Sequence, residues 1–319
     1  MSTRITAALF GLVVVVTPAV GRAQRARAAP SAAESEGARG GQQPARLLRA
    51  EHAPVRRFEV VDYLATLAAT GVYYAIEFGL DSPRGAEWTK PVPVLDEPTR
   101  DLLMLGSREA RQIADRGGDL LWYSATVYPV LLSIAGPLAQ GRSFDQVWQM
   151  SMMNLQVFMV ASILVRIPHK LLGRERPDAV GCRENPDHSV NCGSVNQYVS
   201  FFGGHAAISI TGASLACAHH QHAQPLGGGL ADRLGCAGAM AAAGGVFLSR
   251  LFADRHWLSD QLVSIVVGFG VGYGLPTLLY YKPFWRPSRE HRSNGPGPRH
   301  AIVPVVSRGH LGAAWLATF

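Results

Sequence analysis

The chain has 319 residues, 48% of them hydrophobic and only 17% charged, with a net charge of +7. That balance is more apolar than an ordinary soluble enzyme, and the length allows one large domain or two modest ones. The positive charge does not point to nucleic acid, because the basic residues lie mostly in tails and loops beside apolar segments, where anionic lipid or a phosphate-bearing substrate explains them better.

Met1 to Ala23 has an early Arg4, an apolar run from Ile5 to Val20 and small residues at its end, the layout of a secretory signal peptide. Residues 24–59, rich in Ala, Gly, Arg and Gln, are expected to form a disordered linker. The span 60–281 is expected to be a helical bundle built on six apolar segments: Val60–Leu80, Leu120–Ala139, Val147–Ile167, His205–His222, Leu234–Leu251 and Asp260–Tyr281. About 20 apolar residues are needed to cross the hydrocarbon of a bilayer. The first segment is the poorest, since it contains Asp62 and Glu77 and could pack instead as an amphipathic helix. The fourth and fifth are rich in Ala, Gly, Ser and Thr, as expected where helices approach closely. The fold class is therefore an all-α membrane helical bundle with about six core helices, five or six of them spanning.

Cys182 and Cys192 flank a short polar loop and could close a disulfide in an oxidising compartment, whereas Cys217 and Cys236 sit in apolar segments as small hydrophobes. Two of three consistent topologies put the charged loops after the third and fifth segments outside, and that side is preferred. Residues 282–319 form a basic tail, expected to be flexible. Its end, Ala301 to Phe319, alternates imperfectly as a strand would, but an exposed tail is the preferred reading.

Three stretches put polar and basic residues at the ends of apolar helices, all on one side under any consistent topology. They are His169 to Pro177, Ser200 to Ala206, and Ser249 to Asp260. In the third, His256 and Asp260 are four apart, so they share a helix face if the helix begins by His256. A carboxylate so placed can hold one ring nitrogen and leave the other free to attack. Arg176 and Arg250 supply planar donors suited to phosphate oxygens. His205, behind Gly203 and Gly204 at a helix start, could protonate a leaving oxygen and later activate water. The two glycines let backbone N–H groups approach an anion at the positive helix end. Taken singly, Arg174 and Lys170 fit a phosphate, a lipid headgroup or a solvated loop about equally. Trp257 reads as a membrane-interface anchor, Asp254 and Arg255 as an exposed pair, and His219, His220 and His222 as a solvated loop rather than a metal cluster.

Together the three stretches resemble the signature of the type 2 phosphatidic acid phosphatase superfamily, which includes membrane lipid phosphatases, class A acid phosphatases and vanadium haloperoxidases. The family patterns are KxxxxxxRP, PSGH and SRxxxxxHxxxD. Ser249, Arg250, His256 and Asp260 match the third in full. Arg176 and Pro177 keep the end of the first, with His169 at the lysine position and Lys170 beside it. Gly204 and His205 keep the end of the second, with Phe202 in place of proline and Gly203 in place of the phosphate-binding serine. The resemblance covers roughly Leu120 to Tyr281 and implies that His256 is the nucleophile, Asp260 its partner and His205 the general acid. It implies a phosphate cradle of Arg176, Arg250 and the Gly204 amide, to which Gly203, His169 and Lys170 are added as neighbouring candidates. Losing the cation and the hydroxyl is expected to weaken phosphate binding by about 1.5–3 kcal/mol and about 1 kcal/mol respectively.

The expected activity is hydrolysis of a phosphomonoester or pyrophosphate on a lipid through a phosphohistidine, with no metal or cofactor. The expected partners are the lipid phosphate and the membrane, with no nucleic acid and no signal for oligomeric state. The expected location is a bacterial-type inner membrane with the site facing the periplasm. The alternatives are a soluble periplasmic acid phosphatase of the same superfamily and a catalytically weak lipid-phosphate-binding membrane protein.

Overall fold

The computed structural model describes residues 56–282 and two strands at residues 299–307 and 310–318. The expected signal peptide and the linker up to residue 55 lie outside the described residues. The end of that linker, residues 56–59, is packed: Phe58 is buried and stacks on Tyr280 at 4.6 Å, and its N–H donates to Gln149 Oε1.

Eight α-helices follow: α1 (Val60–Gly79), α2 (Asp96–Leu103), α3 (Arg108–Ala139), α4 (Phe144–Leu171), α5 (Pro177–Glu184), α6 (Gly204–His222), α7 (Gly229–Phe252) and α8 (Leu258–Phe269). A 3-10 turn at Val195–Tyr198 precedes α6, and α8 runs on through π-helical turns at Gly270–Gly274 and Thr277–Tyr281. Each of the six apolar segments therefore forms a helix, but α3 begins twelve residues before Leu120. Ser107 starts it by accepting a hydrogen bond from the Ala110 N–H at 3.1 Å.

The core forms around α6, which is buried along nearly its whole length and packs against α3, α4, α7 and α8. Small residues allow this. A Cβ on Gly268 would come within 2.7 Å of Ile210, and one on Gly212 would overlap the Ala125 carbonyl. The same proximity corrects the expectation for Cys217 and Cys236, which form a disulfide between α6 and α7 with Cα atoms 4.6 Å apart. Cys182 and Cys192 are also joined.

Among the described residues, α3, α4, α7 and α8 with its extension are long and apolar enough to cross a membrane. The five or six spans expected from sequence thus narrow to four by that measure. In α1, Asp62 pairs with Arg56 at 2.8 Å and Glu77 pairs with Arg166 of α4 at 3.0 Å. Large apolar side chains stand on the outer surface, among them Leu67 and Phe78 of α1, Leu120 and Leu131 of α3, and Val266 of α8.

The strand reading set aside for the C-terminal residues is the one the backbone takes. Strands β1 (Arg299–Ser307) and β2 (His310–Thr318) pair antiparallel, with Ser307 opposite His310.

Candidate active site

The C-terminal ends of α4 and α7 meet the N-terminal ends of α3, α6 and α8, and the loops carrying α2 and α5 close over them. The turn after α7 is held from several directions. Asp254, at φ +59°, is buried and receives both prongs of Arg100 at 2.7 and 2.8 Å, and His188 Nε2 at 2.8 Å. Arg255 donates to Asp178 at 2.8 Å and lies 3.6 Å from Asp115. The expectation of an exposed Asp254–Arg255 pair is therefore corrected: each has separate partners, because the tight turn presses both into the loop layer. Trp257 is likewise buried, donating Nε1–H to the Glu175 carbonyl at 2.8 Å, so it is not an interface anchor.

His256 follows that turn and is buried, with α8 starting two residues later at Leu258. Outside the helix, it does not share a helical face with Asp260. Its Nδ1 lies 2.9 Å from the Ser200 carbonyl and 3.8 Å from Asp260 Oδ2. A carbonyl only accepts, so Nδ1 carries the hydrogen and Nε2 keeps its lone pair. Asp260 is turned instead toward the Arg174 guanidinium, the Ser200 hydroxyl at 2.6 Å and the Trp257 N–H at 3.1 Å. The partnership expected between Asp260 and His256 is a close contact without a direct hydrogen bond, supplemented by a relay in which the carboxylate accepts from the Ser200 hydroxyl and the Ser200 carbonyl accepts from the imidazole.

Burial pushes the His256 imidazole well below its ordinary value of 6.5, and the nearby Arg176 charge adds to the effect. The folded chain binds this proton less readily than the unfolded one, so the contribution to stability is present above pH 6.5 and is lost as pH falls. In the same direction, the unprotonated ring should persist at pH 6.5. An NMR titration of labelled imidazoles is expected to show His256 neutral there, and half-protonation at or above 6.5 would contradict this environment.

Arg176, the N-cap of α5, is buried, and its N–H donates to the Gln197 carbonyl at 2.8 Å. Its guanidinium makes one long contact, to the Val199 carbonyl at 3.5 Å; Nε has no partner, and no carboxylate pairs with it among the described residues. Burial and then Arg255 lower it to about 9, against Asp178 and Asp115, so it stays charged near neutral pH. Arg250, in the last turn of α7, is buried and faces two carboxylates of α3, Asp115 at 2.5 Å and Asp119 at 2.6 Å. The same Asp119 lies 3.5 Å from Nε2 of His205, a half-exposed ring whose centroid is 5.2 Å from Trp122. Arg176 lies within electrostatic reach of Arg250, His205 and His256, and His205 within reach of Arg250 and His256.

Asp115 and Asp119 escaped the sequence reading because α3 was started too late. Ser107 followed by Glu109 is a helix-start signal, and it places Asp115 and Asp119 one turn apart. Between them, Gly118 leaves room for the α7 end: a Cβ there would overlap the Ser249 hydroxyl and reach within 3.0 Å of Arg250 Nη2. Gly118→Ala is therefore expected to displace Arg250 and cost about 1–3 kcal/mol, a typical overpacking penalty. A drop in melting temperature together with a raised KM would be the measured signs.

Gly203 is the N-cap of α6, and Gly204 its first residue, closing against His169. His169 is buried and donates Nε2–H to the Phe202 carbonyl at 2.8 Å, so it props the loop before α6 from behind. Its expected place in the phosphate cradle is corrected to that supporting position. Lys170 is corrected too: its ammonium lies against the Glu77 and Leu80 carbonyls at 3.1 and 2.8 Å, capping the C-terminus of α1. Arg174 is almost completely buried between Asp96 and Asp260, so it stands inside the fold rather than on its surface.

At the other end of α6, His219 bonds Tyr281 and Asn154, and His220 bonds Asp232 and Tyr128. Both are buried, which corrects the solvated-loop reading. A cavity of about 490 Å³ lined by Glu175, Ala179, Cys182, Cys192, Gln197 and Tyr198 contains none of the site's imidazoles or cradle arginines.

The arrangement combines an imidazole with a free nitrogen, a buried guanidinium with no carboxylate partner among the described residues and the amino end of a helix, which together suit attack on an anionic phosphorus centre. Residues 151–284, which contain all three motifs, match the family model of the PAP2 superfamily. No curated protein and no solved structure matches the chain significantly.

Proposed function

We propose, for a chain whose residues 151–284 match the PAP2 superfamily model, a likeness that supports phosphatase-type chemistry, hydrolysis of a phosphomonoester or pyrophosphate on a lipid. His256 Nε2 attacks phosphorus, the bond to the leaving oxygen breaks, and His205 supplies that oxygen's proton. Water, deprotonated by His205, then attacks the phosphohistidine and returns His256 with release of inorganic phosphate. Arg176, Arg250 and the first N–H groups of α6 hold the equatorial oxygens and supply the positive charge, so the step is written without a metal ion. The observation that carries the reading is the buried Arg176 without a carboxylate partner beside a neutral His256. A buried cation in that state is stabilised by an arriving anion.

A lipid carrier is favoured because the site stands at the ends of helices whose flanks expose large apolar side chains, so a headgroup can enter while its chain stays in the bilayer. A periplasmic face is favoured by the disulfide Cys182–Cys192 in the loop beside Arg176. Carbonate extraction tests the soluble alternative, which requires release of the chain from membranes. Turnover of a lipid carrying labelled phosphate, quenched rapidly, tests the mechanism. Label on the protein that survives alkali and is lost in acid is the expected result, and phosphate release without any such label would end the phosphohistidine reading.

A further inference from the structure

Gln261 stands on the first turn of α8, beside Asp260, and is fully buried. Neither its Oε1 nor its Nε2 has a hydrogen-bond partner among the described residues. A buried carboxamide with both groups unpaired is unfavourable, and its retention is accounted for when a partner arrives from outside the chain.

Its position indicates which partner. The side chain presses against Gly203, the N-cap of α6: a Cβ there would lie 2.9 Å from Gln261 Oε1 and 3.1 Å from Ser264 Oγ. Gly203 thus adds no polar side chain to the amino end of α6, where such a group is usual, and the Gln261 carboxamide fills that volume instead. Ser264 has its hydrogen bonds made, to the Gly203 and Asp260 carbonyls at 2.9 Å each. Gln261 alone of these two neighbours retains unused hydrogen-bonding capacity, and it does so where the free N–H groups of α6 attract an anion.

We propose that Gln261 is a direct ligand of the transferred phosphoryl group, its Nε2–H donating to a phosphoryl oxygen beside the Gly204 amide. This rests on the phosphatase reading and adds a substrate-binding residue to it.

The test uses the full chain in detergent, with inorganic phosphate binding followed by ³¹P NMR and turnover measured on phosphatidic acid in mixed micelles. Gln261→Leu is expected to weaken phosphate binding about tenfold and to lower kcat/KM by a similar factor, the loss of one hydrogen bond to a charged group. Its melting temperature should not fall, because an unpaired polar group is removed from an apolar environment; a purely packing role would lower it. Gly203→Ser combined with Gln261→Ala makes room for a hydroxyl and should recover most of the binding lost in Gln261→Ala alone. Should the leucine variant fail to fold, the isosteric Gln261→Glu is expected to repel phosphate and bind it at least tenfold more weakly. Phosphate binding within twofold of the original chain in whichever of these single variants folds, or no recovery in the double variant, overturns the assignment. Failure of the phosphatase reading is distinguished by His256→Ala: phosphate release by that variant at the original rate would discredit the reaction, whereas the Gln261 result is read from binding without turnover.

Discussion

His256→Ala is expected to lower phosphate release from a lipid phosphate by about 10⁴-fold or more, the scale on which removal of a nucleophile acts when the rest of a site remains. The remainder should remain here. Arg176 and Arg250 are positioned by Gln197, Asp115 and Asp119, and the α6 amino end by His169 and Ser264, none of which depends on the His256 ring. Inorganic phosphate should therefore still bind the variant, so the loss should appear in kcat rather than KM, and no phosphoenzyme should be trapped. Asp260→Asn is expected to be milder in kcat, because its carboxylate makes no direct hydrogen bond to His256, standing 3.8 Å from Nδ1 and bonding Ser200 instead. A His256→Ala enzyme with the original kcat would refute the nucleophile assignment.

Arg174→Met is expected to destabilise the chain by about 3–5 kcal/mol, the cost of breaking a buried ion pair from one side. Arg174 lies between two fully buried carboxylates, donating to Asp260 and to Asp96 Oδ2 at 2.8 Å, with its guanidinium 4.1 Å from the Trp88 ring centroid. Asp96 in turn accepts from the Ser259 N–H at 2.8 Å, so the cluster ties the start of α2 to the start of α8. Removing the cation leaves two buried carboxylates with only neutral donors and no counter-charge between them, and so loosens Ser200, the residue that aims His256. Lower melting temperature and lower kcat should appear together, and Arg174→Lys should restore them only in part, since an ammonium lacks the planar fork that meets two carboxylates. Unchanged melting temperature in Arg174→Met would show that the cluster contributes little.

The sequence by itself determined the six apolar helices, because hydrophobic length is a local property that survives packing. It also placed His256, His205, Arg176 and Arg250 at or beside helix ends, where the structure has them, while the roles of nucleophile, acid and cradle remain what the resemblance implies and what is proposed above. What it could not determine was the direction in which each polar side chain turns, since that depends on partners brought in from other helices. Asp260 faces Arg174 rather than His256 because α8 begins after the imidazole. His169 and Lys170, adjacent in the chain, serve the α6 loop and the α1 terminus because neighbouring helical positions point about 100° apart. Asp115 and Asp119 joined Arg250 only once α3 was seen to extend past its apolar portion. Buried charge is costly until paired, so the tertiary structure decided the pairs, and among the described residues it left Arg176 without a carboxylate partner.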